Sequence, residues 1–147
     1  MSINKILKTE KKSSVAVLLA AYNGMKWIEE QVDSIFLQKD IDIDIYISID
    51  ISSDSTYEWC QGLATKNTHI KVLPYGEKFG GAAKNFFRLI RDVDFSYCDY
   101  IAFSDQDDIW DSSKLYHAIK TIKQDELDGY SSNVIAFWSN GRKKLVK

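Results

Sequence analysis

Apolar and polar positions alternate along this chain in two rhythms, one of period two and one close to four. "VAVLLA" (15–20) is an unbroken apolar run, the pattern of a strand covered on both faces. Gly24 breaks the chain, and Ile28, Val32, Ile35 and Phe36 then recur at helical spacing as one apolar stripe. "IDIDIYISI" (41–49) alternates strictly, with Ile41, Ile43, Ile45, Ile47 and Ile49 on one face. Asp42 and Asp44 take the other face, which predicts that this half of the strand is solvated or near a sheet edge. "SSDST" reads as a turn feeding a helix in which Tyr57, Cys60, Leu63 and Ala64 share a side. "IKVL" (70–73) is a short strand closed by Pro74, the only proline. "GGAAKNFFRLIRDV" predicts a helix opened by glycines, with Ala83, Phe86, Phe87 and Ile90 aligned as its buried stripe. "YIAF" (100–103) is a further buried strand. An acidic loop follows it, then a helix presenting Leu115, Ala118, Ile119 and Ile122, and finally the strand-like "NVIAFW" (133–138).

Strands alternating with helices predict crossover units, an α/β fold and a mostly parallel central sheet. Ligands of such sheets bind beyond the carboxyl ends of the strands, where loops lead into helices. Tyr22 and Asn23, Asp50 with its serines, and Asp105 to Asp108 all follow strands, so the topology directs them to one crevice. No internal repeat, low-complexity tract or interdomain linker interrupts the pattern. The expected division is a polar leader over 1–14 and a single domain over 15–147.

Composition narrows the classes. A hydrophobic content of 45% and a charged content of 27% are those of a soluble globular domain. The net charge of −2 argues against a dedicated nucleic-acid binder, which carries a basic excess. Cys60 and Cys98 form no metal-type spacing. With no signal peptide, they point to a reducing, cytoplasmic setting. The longest apolar run is far short of the roughly 20 residues of a membrane span. The lysine-rich leader "MSINKILKTEKKSS" reads as a solvated arm, with peripheral contact at the inner face of a membrane as its alternative.

Several familiar motifs are absent. Gly76, Gly80 and Gly81 frame neither a Walker A sequence nor the dinucleotide fingerprint. "DQDDIWDSSKLY" begins like a calcium loop, but Trp110 holds its glycine position and Tyr116 its bidentate glutamate position. His69 and His117 have no partner at ligand spacing. The acidic loop "FSDQDDIW" (103–110) is different. One or two acids there are explained by an Asx turn and a helix cap, but three beside a buried strand are not. Alternate carboxylates at Asp105 and Asp107 suit a hard cation such as Mg²⁺ or Mn²⁺, which completes its shell with water and substrate phosphate.

These segments together resemble a known family. "VAVLLAAYNG", the turn built on Asp50, Ser52, Ser53, Asp54 and Thr56, "GGAAKN" and "YIAFSDQDDIW" stand in the order and spacing of inverting family 2 glycosyltransferases, over roughly residues 15 to 125. The "SDQDDIW" form is most similar to the branch containing many bacterial rhamnosyltransferases of cell-surface polysaccharide synthesis. The resemblance implies a GT-A fold, here its donor-binding half, as a Rossmann-like three-layer sandwich. It also implies a nucleotide-diphosphate sugar donor, with dTDP-rhamnose as the candidate, a divalent metal (Mg²⁺ or Mn²⁺), and a saccharide or lipid-linked acceptor. By position, Ala20, Tyr22, Asn23, Asp50, Gly81, Lys84, Asn85, Asp105 and Gln106 would bind the nucleotide sugar. Asp107 and Asp105 would hold the metal, with Asp108 in support. Tyr22 would lie against the base and Asp50 would accept a hydrogen bond from the pyrimidine ring.

The chain departs from the family pattern at the second strand, where relatives read "DDGS" and this sequence reads "IDIS". Ile49 replaces the first aspartate, and Ile51 replaces a glycine whose positive φ a β-branched residue resists. This predicts another path for that loop. The carboxylate that serves relatives as general base lies further along than any clear counterpart here; Asp125 and Glu126 fall in an expected surface loop. A second class of function, a non-catalytic remnant or interaction module, stays open beside transfer, as does, less favoured, an unrelated nucleotide-binding α/β domain. Sugar, acceptor and oligomeric state are left open by the sequence.

Overall fold

The computed structural model describes residues 11–146. The first ten positions of the lysine-rich leader lie outside them. Strand β1 (Ser13–Ala21) takes in the leader's last two residues, and its apolar run is buried throughout. It is followed by α1 (Ile28–Phe36), β2 (Ile41–Ile49), α2 (Thr56–Ala64), β3 (Ile70–Val72), α3 (Ala82–Asp92), β4 (Tyr100–Asp105) and α4 (Lys114–Asp125). The four strands form a parallel sheet of order β3-β2-β1-β4. Two further strands, β5 (Val134–Phe137) and β6 (Lys143–Val146), pair antiparallel as a separate hairpin.

Side chains alternate across the sheet and divide the core into two layers. Val15, Val17 and Leu19 of β1 and Ile45, Ile47 and Ile49 of β2 pack against Ile28, Val32 and Ile35 of α1, Cys60 of α2, and Leu115 and Ile119 of α4. Ala16, Leu18 and Ala20 face the other way, against Leu89 of α3 and Val93 beyond it. The result is the expected α/β/α arrangement. Asp42 and Asp44 precede the segment of β2 that pairs with β3, since the β2–β3 register runs only from Ile45 to Ile47. That half of β2 therefore borders solvent although the strand is central.

The predicted stripe of α3 is not the buried one. Ala83, Phe87 and Ile90 are exposed, Phe86 is half-buried, and the face turned inward carries Asn85, Arg88 and Leu89. The physical reason is hydrogen-bond demand at the sheet's end. Asn85 Nδ2 donates to the carbonyls of Ser48 (3.0 Å) and Ala21 (3.3 Å), and Arg88 donates to the Pro74 carbonyl (2.5 Å) and Ser48 Oγ (3.2 Å). Carbonyls buried at strand ends need donors, and a polar helix face supplies them. Phe36, expected in the stripe of α1, is likewise partly in solvent, at 38% exposure.

Candidate functional site

Beyond the carboxyl ends of β1, β2 and β4 lies a cavity of about 520 Å³. Its wall takes Ala20, Ala21 and Tyr22 from the end of β1, Asp50 and Ile51 from the end of β2, and Asp105, Gln106 and Asp107 from the end of β4. Lys78, Gly80, Gly81, Ala82 and Asn85 complete it from the loop after β3 and the start of α3. The three strand-end segments singled out in the sequence thus meet at one place, in a volume that suits a small-molecule ligand.

Each segment is tied to its neighbours. Asn23 sits in the left-handed region (φ 44°), and its Oδ1 accepts from the Ser53 amide at 2.8 Å, so it staples two loops and does not reach the cavity wall. The Gln106 amide grips the backbone of Tyr22 twice, accepting from its N–H at 2.7 Å and donating to its carbonyl at 2.8 Å. Gly24 makes that grip possible, because a Cβ there would collide with the Gln106 side-chain amide. Asp54 accepts from the Met25 amide (3.1 Å) and from Thr56 Oγ1 (2.5 Å), and Thr56 Oγ1 in turn accepts from the Gly24 amide (2.8 Å). The turn after β2 is in this way the floor of the turn after β1.

Asp50 is buried, and its carboxylate is occupied by backbone. Oδ1 accepts from the amides of Ile51 and Phe79, both at 2.8 Å, and Oδ2 from the amide of Gly80 at 2.8 Å. Burial raises its pKa, but the amides of Phe79, Gly80, Ile51 and Gly81 outweigh burial and hold it below the ordinary carboxylate value. Gly80, at φ 71°, gives the backbone the turn that aims its N–H at Asp50. Ile51 is not among the residues of positive φ, so its β-branched side chain is accommodated without strain, and it forms part of the cavity wall.

On the acidic loop, Asp105 and Asp107 are exposed at the cavity, whereas Asp108 is half-buried and outside its wall. Desolvation raises the pKa of Asp105, and the charges of Asp108 and Asp107 raise it further. For Asp108, burial also raises the pKa, opposed by Lys114 and reinforced by Asp107. Lys114 stands over the Trp110 ring, 4.2 Å from its centroid. Burial lowers its pKa and Asp108 opposes that shift. Among the described residues no group of three or more His, Cys, Asp or Glu is arranged to hold a metal ion unaided. What the loop offers is two carboxylates at the edge of a cavity.

Lys84 is exposed and is not part of the wall; the cation that the described residues place there is Lys78, which the sequence reading did not single out. Its signal was position: it lies between Gly76 and the Gly80–Gly81 pair, in the loop that must arch over the sheet's end. Asn85 lines the cavity, and its buried Oδ1 has no hydrogen-bond partner among the described residues. Asp125 and Glu126 close α4 and lie outside the wall.

The family described as Glycosyl transferase family 2 matches residues 16–145. The chain is 52% identical over 129 residues to the dTDP-rhamnosyl transferase RfbG of Shigella flexneri. That similarity covers 87% of this chain and 45% of the relative, so the chain spans about half the length of the curated protein it matches. Among solved structures, TarS of S. aureus (residues 1–349) in complex with UDP superposes with a TM-score of 0.64 at 18% identity, over 88% of this chain and 43% of that one. The mannosyltransferase PcManGT from Pyrobaculum calidifontis, in complex with GDP-Man and Mn²⁺, gives 0.61 at 21% identity, over 74% and 32%. These likenesses establish the fold.

Proposed function

Since the chain belongs to glycosyl transferase family 2, we propose that its cavity holds the nucleoside diphosphate of a sugar donor and that the protein it forms transfers that sugar. The observation that carries this reading is the convergence of Asp105 and Asp107 with Lys78 and the start of α3 around one cavity. A lysine and the amino-terminal turn of a helix suit a diphosphate directly, and carboxylates on the same cavity wall suit it through a divalent cation. The donor set fits Mg²⁺ or Mn²⁺, which bind through one or two carboxylates and take their other ligands from water and phosphate. Asp107 and Asp105 would hold the ion, and when bound it would neutralise charge developing on the departing diphosphate.

The chain's own residues then have separate tasks. The Tyr22 ring, 55% exposed at the mouth, offers a stacking face for the base. Asn85 Oδ1 is a free acceptor for a donor group of the ligand. Asp50 holds the Phe79–Gly80 backbone against the cavity, and it reads a pyrimidine only with acceptor capacity left over from those amides. Gln106 acts on the ligand through the backbone of Tyr22. The name of the Shigella relative makes dTDP-rhamnose the donor to try first, with a saccharide or lipid-linked acceptor. An attacking acceptor hydroxyl would need a base to take its proton.

A second reading, a module that binds the donor without turning it over, is favoured by one observation. Of the carboxylates that the described residues place on the cavity wall, Asp50 is held by backbone amides, and Asp105 and Asp107 are the two assigned above to the cation, which leaves none of them as a base. Calorimetry with thymidine or uridine diphosphate, in Mn²⁺ and in EDTA, tests the site. Metal-dependent binding is expected, and its absence for both nucleotides would sink the proposal. Turnover of nucleotide sugars separates the transferase from the binding module.

A further inference from the structure

Helix α1 carries, beside its apolar stripe, a buried polar one: Gln31, Ser34 and, just past the helix end, Gln38, at 0%, 5% and 7% exposure. None of the three touches the cavity. All three are spent on the acidic loop. The Gln31 amide lies 2.6 Å from Ser104 Oγ and 3.3 Å from Trp110 Nε1, and it reaches the carbonyl of Asp108. Oxygen toward the indole N–H and nitrogen toward that carbonyl give every group a complementary partner. Ser34 Oγ accepts from the Trp110 amide at 3.0 Å and donates to the Gln31 carbonyl at 2.7 Å. Gln38 donates to the Asp111 carbonyl at 2.6 Å and accepts from the Leu115 amide at 2.9 Å.

The contacts therefore bracket the loop, from the end of β4 to the first turn of α4. Between them stand Asp105 and Asp107, whose own side chains make no hydrogen bond among the described residues. A buried amide amid Ile28, Val32 and Ile35 is costly unless all its groups are paired. Here the loop's backbone supplies the pairing, and the rigidity passes to the carboxylates. The geometry points to Gln31, with Ser34 behind it, as a positioning residue that sets the aim of Asp105 and Asp107 toward a cation and diphosphate. This rests on the nucleotide-sugar reading of the cavity.

The test is the ratio of thymidine diphosphate affinities in Mn²⁺ and in EDTA, measured by calorimetry on the full chain beside its thermal melt. Gln31→Met keeps volume and removes the amide. It is expected to cut the ratio by about tenfold, the scale on which groups behind metal ligands act, while the affinity in EDTA stays within about twofold, well under the tenfold that 1.4 kcal/mol would bring. A folded Gln31→Met with the wild-type ratio overturns the inference, because a purely structural role would shift the melt and leave the ratio alone. If Gln31→Met does not fold, Ser34→Ala decides. It deletes one oxygen, and a fall in the ratio supports the role whereas an unchanged ratio overturns it. A wild-type ratio near one is a different failure: it removes the reading of the cavity itself, and the positioning role with it.

Discussion

At the residue scale, Asp50 and Gly24 show what a single position does at the mouth of the cavity. Asp50 was legible in the sequence as a polar residue ending a strand, but not the direction in which its charge is spent. Its bonds to the amides of residues 79 and 80 depend on a loop that arrives from the far side of β3. Because its folded pKa is depressed, its stabilisation is fully present above the unfolded value near 3.8 and is lost as pH falls through the folded value. Asp54, also depressed despite the upward push of burial, adds to the same acid sensitivity. Asp50→Asn should cost about 2 kcal/mol at neutral pH, the scale of hydrogen bonds to a charged acceptor. The gap from wild type should close as pH drops below that range, which urea melts at pH 7 and in acid would record. Gly24→Ala should displace the Gln106 amide from Tyr22 and lose about 1–2 kcal/mol. Nucleotide affinity should fall alongside the melting temperature, since Tyr22 loses its brace.

At the element scale, the two helices that the periodicity described least well are those doing polar work. The apolar stripe of α1 was legible, yet Gln31, Ser34 and Gln38 fall between its members and carry no periodic signal of their own. In α3 the error was larger. Phe87 and Ile90 look like core and are exposed, and Asn85 and Arg88 look like surface and are buried. Pattern reading weighs apolarity, whereas both helices answer a demand for donors and acceptors at strand ends and loops. Arg88 makes this measurable. It is 4% exposed, joins α3 to Ser48 and Pro74, and pairs with Asp92 at 3.5 Å. Arg88→Met should cost about 2–3 kcal/mol by leaving those acceptors unpaired in a buried place. Arg88→Lys should recover little, because one ammonium cannot span partners that a planar fork reaches together. Chemical denaturation of the two variants would show whether they fall together, as expected.

At the scale of the whole molecule, the order of strands and helices was legible because each crossover obeys a local rule, and the cavity followed from the topology. The hairpin was legible only as the strand over 133–138, and its separation from the parallel sheet was not. From Tyr130 to Val146 every residue but Ala136 is exposed, including Val134, Ile135, Phe137 and Leu145. A two-stranded hairpin whose side chains are exposed is marginal in water, whereas the apolar run of β1 and the second half of β2 are buried. Cooperative unfolding should accordingly belong to residues 13–125, with the hairpin outside the unit. Hydrogen exchange should find the amides of β5 and β6 protected far less than those of β1, with free energies of opening near zero against the global value at β1. A chain ending after Gly129 should melt within about 1 °C of the longer one, less than the 2–4 °C that 1 kcal/mol shifts a somewhat larger domain. It should also bind thymidine diphosphate as tightly, because no residue of the hairpin lines the cavity. A hairpin that exchanged with the sheet, or whose loss lowered the melt by several degrees, would place it inside the cooperative core.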